Sequence, residues 1–220
     1  MNSNEIAHYL NEHPHFFEEH AELLATIKLT SPILGKSISL QERQMEVVRD
    51  KIRGLELRLA ELNRHAKENE DIAAKYKTWS RELLLARNDV DLPHILAQGL
   101  KDIFNLPYAS LRMWNVASDY THTWFAQTAS EDVRLFAKGL QQAYCGKNQD
   151  FEAAAWLEAD QEVLSVAMMP LRLDADSPCF GLLILGSNEI SRFTKDMSTD
   201  FLAHIASSSS AALHCLTDTI

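Results

Sequence analysis

Three histidines near the start of the chain, His13, His15 and His20, lie close to Glu18 and Glu19. Imidazole and carboxylate groups together are suitable ligands for zinc or nickel. His15 and His20, however, are five residues apart, which places them about 140° apart around a helix and therefore on different faces. We interpret these histidines as solvated or helix-capping side chains and predict no metal site.

The sequence contains no motif of a common enzyme mechanism. It has no G-x-G-x-x-G or Walker lysine loop for nucleotides, no G-x-S-x-G or S-x-x-K for a serine nucleophile, and no H-E-x-x-H for zinc. An enzyme would therefore have to use an unfamiliar set of residues. We predict a non-enzymatic protein without a cofactor.

A group of aromatic and basic side chains in the second half of the chain is the main candidate for a ligand pocket. Aromatic rings can sandwich a flat ligand, and an arginine can pair with its anionic group. The residues are Trp114, Trp124, Phe125, Tyr144, Trp156, Arg112 and Arg172. Aromatic residues of a small domain usually belong to its core, so a structural role is the alternative.

The three cysteines, Cys145, Cys179 and Cys215, are an odd number and form no C-x-x-C pair. Neither a disulfide framework nor a zinc site is predicted from them, and a reducing cytoplasm is the expected location. Cys179 lies at the start of a predicted strand with no adjacent cation, so we interpret it as a buried thiol and not as a redox sensor.

The composition is that of a folded, mostly helical protein. Hydrophobic residues make up 46% and charged residues 24% of the 220 residues, and only 7 Gly and 6 Pro argue against an all-β fold. A formal charge of -10 disfavours direct nucleic-acid binding, because it repels a polyanion. The longest apolar run, 181–186, is far shorter than the roughly 20 residues of a membrane span.

A long helix is predicted over residues 38–87, where apolar residues recur at alternating spacings of three and four. This stripe, called the seam below, starts with Met45, Val48, Ile52, Leu55, Leu59 and Leu62. It continues through Ala66, Asn69, Ala73, Tyr76, Ser80 and Leu83. Such a helix is too long to be covered by one small domain, so we predict a homodimer through this helix. A helix folded back on its own domain is the alternative.

The chain is predicted to consist of three parts. Residues 1–37 form a helical headpiece and a linker, 38–87 form the coiled-coil helix, and 88–220 form a domain of mixed helix and strand. Net charge supports the last boundary: residues 1–87 hold 13 basic and 14 acidic side chains, whereas 88–220 hold 8 and 17. Basic residues of the long helix alternate with acidic ones, which is typical of a solvated coiled-coil surface and not of a DNA-binding face.

The domain at 88–220 is predicted to contain five helix and strand units in order. A helix capped by Asp91 precedes a hairpin of two strands, Tyr108–Trp114 and Tyr120–Gln127. A second helix over Ser130–Tyr144 precedes another hairpin, and a last helix is capped by Thr194. The strands of the second hairpin are Val163–Leu173 and Cys179–Gly186.

Three stretches of the chain resemble a known bacterial family. They are YLNEHPHFFEEHAELL at 9–24, SLQERQ at 39–44 and FGLLILGSNEISRFTKDMSTDFLAHI at 180–205. Together they are similar to domain of unknown function 484, a family regarded as GAF-like. The resemblance implies an α+β fold in which helices cover one face of an antiparallel sheet and a ligand pocket lies on the other, bordered by the aromatic group above.

The resemblance implies architecture but no activity, because the family has no established biochemical function. Its genes often lie beside a tyrosine recombinase gene, and the chain lacks the N-K-F-D-E set of GAF domains that bind cyclic nucleotides. We predict a cytoplasmic regulatory or signalling dimer in which a GAF-like sensory domain is coupled to the coiled coil. The alternative is an adaptor with an unliganded core that binds a partner protein, linked to the recombinase system.

Overall fold

The computed structural model describes residues 2–30, 37–195 and 199–218. The chain divides into two compact units, Met1–Lys67 and Glu68–Ile220, called the first and second unit below. One helix, α4 (Leu40–Leu84), contributes residues to both units.

The first unit contains short elements followed by the beginning of α4. These are helices α1 (Ser3–Glu12), α2 (Phe16–Glu19) and α3 (Ala21–Thr26) and the antiparallel strands β1 (Lys28–Thr30) and β2 (Ser37–Ser39). Asn2 caps α1 in a reciprocal box, because the Glu5 carboxylate accepts from the Asn2 amide at 2.9 Å. Residues 31–36, which belong to the predicted headpiece and linker, lie outside the described residues.

Helix α4 is a single element of 45 residues, about 68 Å long at 1.5 Å per residue. No proline interrupts it, and the recurring leucines and charged residues have high helix propensity. Among the described side chains of residues 2–67, none is buried. The described apolar side chains of the first unit are therefore exposed or half-buried, whereas many of those in the second unit form a core.

The second unit is built around one four-stranded antiparallel sheet. Its strands are β3 (Tyr108–Met113), β4 (Tyr144–Lys147), β5 (Ser165–Leu171) and β6 (Gly181–Ser187), in the order β3-β6-β5-β4. Its helices are the end of α4, α5 (Leu92–Phe104), α6 (Glu131–Gly139) and α7 (Asp200–Leu213). The α+β fold class predicted from the sequence is confirmed.

Alternate residues of the strands point to two separate apolar layers. On one face, Met169 and Leu183 pack in a cluster that also contains Trp79 of α4, Leu96 of α5 and Leu213 of α7. On the other face, Val166, Met168, Leu182 and Ile184 pack against α6 and a 3-10 helix at Glu152–Leu157. Helices therefore cover both faces of the sheet, where the sequence predicted them on one face only.

The predicted strand Tyr120–Gln127 is wrong. Two 3-10 helices, Ser118–Tyr120 and Trp124–Ala126, occupy this segment, and β3 pairs with β6 instead. Threonine side chains explain the difference: the Thr121 and Thr123 hydroxyls donate to the carbonyls of Ser118 and Tyr120 at 2.9 and 2.7 Å. Such local bonds offer the backbone an alternative to a sheet.

Two predicted helix boundaries are also wrong. Helix α6 ends at Gly139 and not at Tyr144, because Leu140 is extended and Tyr144–Lys147 pairs with β5. The last helix begins at Asp200 after Thr199, so Thr194 is not its cap, and residues 196–198 lie outside the described set. The second hairpin is confirmed, because β5 and β6 pair from Ser165↔Ser187 to Leu171↔Gly181.

Replacing Gly99 of α5 by alanine is expected to destabilise the second unit by about 1–3 kcal/mol through overpacking. A Cβ atom at this position would lie 2.9 Å from Trp79 Cδ1 and 3.2 Å from a Glu82 carboxylate oxygen. Gly139→Ala is the matched control, because its Cβ would meet no atom within 4 Å. Urea denaturation of both variants measures the effect, and equal midpoints would contradict the close approach of Trp79 to α5.

Candidate functional site

A groove lies beside α6, the end of β3 and the loop between β5 and β6. Its volume is about 650 Å³, within the range of small-molecule pockets. Its lining is mixed: an indole, three cations, two carboxylates, a thiol and small or apolar loop residues. The lining residues are Trp114, Glu131, Arg134, Leu135, Lys138, Gln141, Arg172, Ala175, Asp176, Ser177, Pro178 and Cys179.

One wall of the groove is an arginine beside an indole ring. The Arg134 guanidinium carbon lies 5.9 Å from the centre of the Trp114 ring, at the outer limit of a cation–π contact. Trp114 is fixed in turn, because its Nε1 donates to the Cys179 carbonyl at 2.6 Å. The Nε atom of Arg134 is buried and has no hydrogen-bond partner among the described residues. The guanidinium therefore retains donor capacity next to the groove.

Arg172 anchors the floor of the groove to the end of α6. Its Nη2 donates to the carbonyls of Ala137, at 3.1 Å, and of Leu140. Its backbone amide donates to Ser210 Oγ of α7 at 3.0 Å. A cation at the last carbonyls of a helix is favourable, so Arg172 both stabilises the end of α6 and adds positive charge to the groove.

Cys179 lies in the same lining as a partly buried thiol. Burial raises the pKa of the Cys179 thiol, and the nearby Arg172 charge opposes this shift to a smaller extent. The thiol donates to the Gly181 carbonyl at 3.2 Å. Since only the thiolate is strongly nucleophilic, the raised pKa leaves Cys179 largely unreactive near neutral pH.

The lining of the groove carries a small net positive charge, +1 from three basic and two acidic residues, although the second unit as a whole is acidic. Residues 68–220 hold 12 basic and 21 acidic side chains, a net charge of -9. The groove, by contrast, is lined by Arg134, Lys138 and Arg172 against Glu131 and Asp176. Two guanidinium groups and an ammonium next to an indole suit a ligand that carries an anionic group on a flat apolar body.

Two of the seven residues predicted for a ligand pocket, Trp114 and Arg172, line this groove. Tyr144 lies in another place, in an aromatic cluster with Phe136 and Phe151 at ring distances of 6.3 and 5.2 Å. Trp156 is buried in the apolar layer against which this cluster packs. Trp114 belongs to the same layer, but Tyr144 and Trp156 do not line the groove.

The other predicted pocket residues also have separate structural partners. Arg112 stacks 4.7 Å above the Trp156 ring and donates to the Thr128 carbonyl at 2.8 Å. Phe125 is 1% exposed and packs in the layer on the opposite face of the sheet, whereas its neighbour Trp124 is 41% exposed. Phe125 therefore lies in the core, whereas Trp124 lies at the surface.

Arg134 and Lys138 were missing from the predicted pocket. They are four residues apart on α6 and therefore lie on one helix face, a spacing that is visible in the sequence. What the sequence could not provide is the position of the loop at residues 174–179 beside α6, which brings Asp176 and Cys179 to the same groove.

A second hydrogen-bonded pair lies at the start of β3. The Tyr108 hydroxyl donates to the Asp160 carboxylate and accepts from the Gln161 amide at 3.3 Å. The bond to Asp160, with a smaller contribution from burial, raises the pKa of Tyr108. This pair connects the loop before β5 to the edge strand β3, and neither of its residues lines the groove.

His13 and His15 contact residues that are close to them in the sequence. His13 Nδ1 lies 3.0 Å from the Tyr9 carbonyl, and His15 Nδ1 lies 3.0 Å from a Glu18 carboxylate oxygen. In the part of the chain that the structure describes, no group of three side chains is arranged to hold a metal ion. Over the same residues, no helix combines the length and apolar character needed to cross a membrane.

The seam of α4 is exposed along most of its length and becomes buried only near the end of the helix. In the first unit, all six apolar residues from Met45 to Leu62 are between 47% and 66% exposed. In the second unit, Asn69 and Ala73 of the seam are still exposed, but Leu83 is buried. Tyr76 is partly buried in the core, with its hydroxyl 2.6 Å from Ser208 Oγ of α7, and Trp79, which lies beside the seam, is buried there as well. The folded-back alternative therefore holds for the end of the helix, while the earlier seam has no cover within the described first unit.

The four-stranded sheet and its helices define an α+β domain, and solved structures similar to it in fold include GAF domains. The GAF domain of an Acinetobacter phosphoenolpyruvate-protein phosphotransferase is 10% identical, with a TM-score of 0.48, over 67% of this chain and 97% of that chain. A methyl-accepting chemotaxis protein, residues 122 to 287, is 13% identical, with a TM-score of 0.43, over 65% and 98%. A free methionine-R-sulfoxide reductase from Neisseria meningitidis is 12% identical, with a TM-score of 0.42, over 62% and 84%.

The family model that matches the sequence is DUF484, described as protein of unknown function, and it covers residues 1–213. The chain therefore belongs to the DUF484 family. A search of curated proteins found no match.

Proposed function

We propose that this chain is a non-enzymatic regulatory protein of the cytoplasm, in which a GAF-like sensory domain is coupled to a dimeric coiled coil. The sensory domain is 88–220, the coiled-coil helix is 38–87, and 1–37 is a helical headpiece. The absence of common catalytic motifs from the sequence supports a regulatory role and not an enzymatic one.

The observation that carries this proposal is the double role of α4. Leu55 and Leu62 of this helix are exposed, while Trp79 and Leu83 of the same helix belong to the core around the sheet. Exposed apolar side chains at coiled-coil spacing favour association with a second helix. One continuous helix thus connects a surface suited to dimerisation with the interior of the sensory domain.

The groove beside α6 is the proposed ligand site, with Arg134, Lys138 and Arg172 as its cations and Trp114 as its aromatic wall. The ligand class is a small anionic molecule with a flat apolar part. The five remaining residues of the sequence-based pocket, Trp124, Phe125, Tyr144, Trp156 and Arg112, are proposed to support the fold around it.

A ligand in the groove can act on α4 through the sheet. The loop that lines the groove connects β5 to β6. On their other face these strands contribute Met169 and Leu183 to the layer that contains Trp79. Binding that favours one packing of this layer would shift the population of α4 between two arrangements and alter the coiled coil.

The test is a thermal-shift screen of the full chain against nucleotides, organic acids and amino acids. At least one anionic compound is expected to raise the melting temperature of the wild type, because a ligand that binds only the folded state stabilises it. The increase is expected to disappear in Arg134→Ala and to persist in Lys147→Ala, whose exposed cation lies on β4.

A screen without any shift would overturn the sensory proposal and favour the adaptor, the second candidate function. The adaptor is supported by the filled layer between the sheet and α6, where Trp156, Leu182 and Ile184 occupy the interior. Turnover of any compound in a broad activity panel would overturn both.

A further inference from the structure

The first part of α4 carries charges beside its seam as well as apolar residues along it. In heptad notation, Met45, Ile52 and Leu59 occupy a positions, and Val48, Leu55 and Leu62 occupy d positions. The flanking g positions hold Lys51 and Arg58, and the flanking e positions hold Arg49 and Glu56. All four flanking side chains are exposed, so they are available to a partner helix.

We infer that a second copy of this chain covers the seam as a parallel, in-register helix; the inference rests on the dimer of the proposed function and adds its orientation. Two patterns on this helix lead to it: the identities of the residues at a and d, and the signs of the charges at e and g.

One heptad of the seam has the core pattern of two parallel strands. A β-branched residue at a with leucine at d favours a parallel dimer, and Ile52 with Leu55 has this pattern, whereas Met45 and Leu59 at a and Val48 at d do not. Leu62 continues the leucines at d one heptad later. A parallel, in-register pair therefore stacks each of these residues on its own copy.

The flanking charges distinguish the two orientations. In a parallel pair, each g residue faces the e residue five positions later in the partner. Lys51 then faces Glu56 twice per dimer, while Arg58 faces the neutral Asn63. This arrangement contains two attractive pairs and no like-charge pair among these positions.

An antiparallel pair aligned over the whole seam is electrostatically less favourable. There, g faces g and e faces e, so Lys51 of each copy approaches Arg58 of the other. These two repulsive pairs offset the two attractive pairs that Arg49 and Glu56 would form. The balance of charge thus favours the parallel orientation.

Charge reversal tests the orientation by the sign of its effect. Lys51→Glu places like charges opposite Glu56 in a parallel pair, and we expect the dissociation constant to rise about three- to tenfold at low salt. Lys51→Glu combined with Glu56→Lys should restore the wild-type value. In an antiparallel pair, Lys51→Glu would instead face Arg58 and lower the dissociation constant. Sedimentation equilibrium measures all three proteins.

Disulfide trapping gives a second, independent readout in a Cys215→Ser background, which removes the exposed thiol. Val48→Cys and Leu59→Cys should each form a disulfide-linked homodimer alone, because identical positions face each other in a parallel pair. In that pair, residues 48 and 59 are about 16 Å apart along the axis, too far for a disulfide. Leu57→Cys, at an outward position, is the control and should link at least tenfold less.

The outcomes separate this inference from the dimer itself. Disulfides that form only when Val48→Cys and Leu59→Cys are mixed would overturn the parallel orientation and leave the dimer intact. A monomeric wild type in the same sedimentation experiment would overturn both.

Discussion

Replacing Leu55 and Leu59 together by aspartate is expected to convert the proposed dimer into a monomer. Each leucine covered by a partner helix contributes about 1.5–3 kcal/mol through burial of its apolar surface. Four such side chains are lost per dimer, so association weakens by about 6 kcal/mol or more, which corresponds to over ten-thousandfold in the dissociation constant. Light scattering coupled to size-exclusion chromatography measures the mass of the variant.

Leu57→Asp is the matched control for this double variant. Leu57 is 69% exposed on the same helix but lies off the seam, so its replacement should leave the mass of the dimer unchanged. Far-ultraviolet circular dichroism would check that the second unit remains folded in every variant. An unchanged mass for the Leu55 and Leu59 variant would show that the seam is not the dimer interface.

Replacing Trp79 by alanine is expected to lower the free energy of unfolding of the second unit by about 3–5 kcal/mol, the usual range for a large aromatic residue in a core. Trp79 is 0% exposed, packs against α5 close to Gly99, and donates from Nε1 to the Leu96 carbonyl at 3.3 Å. The replacement removes this packing and leaves a cavity between α4 and α5.

Trp124→Ala provides the comparison, because Trp124 is 41% exposed and its removal leaves no comparable cavity. Denaturant midpoints of the two variants measure the difference. If Trp79→Ala were no less stable than Trp124→Ala, α4 would not be an integral part of the core, and the proposed path from the sheet to the coiled coil would fail.

Periodicity predicted the parts of the fold in which one pattern dominates. The heptad spacing from Met45 onward predicted the long helix, and alternation of Leu111 and Met113 with Arg112 predicted strand β3. The turn-forming residues DADSP at 174–178 separate the two predicted strands of the second hairpin, which the pairing of β5 with β6 confirms. Each of these signals depends on residues that are close in sequence.

Predictions failed where distant contacts decide the structure. Pairing of β3 with β6 joins segments about 70 residues apart, and the residues near Tyr120 contain no pattern that predicts this pairing. The end of α6 is stabilised by Arg172, which lies more than 30 residues later in the chain. The short strand at Tyr144–Lys147 is stabilised by its neighbour β5 and has little pattern of its own.

In the candidate site, too, residue types could be read from the sequence, but the contacts between distant segments could not. Residue types pointed to Trp114 and Arg172, and both line the groove. The sequence could not separate them from Trp156 and Phe125, whose surroundings are set by which face of the sheet they cover. Arg134 and Lys138 become visible as site residues only when α6 and the loop before β6 come together.

The mass of the full chain in solution tests the central claim most directly. Sedimentation equilibrium at micromolar concentration should give about 50 kDa, twice the chain mass of 24.9 kDa. A mass of 24.9 kDa across that concentration range would contradict the account, because α4 would then expose its seam without a partner helix.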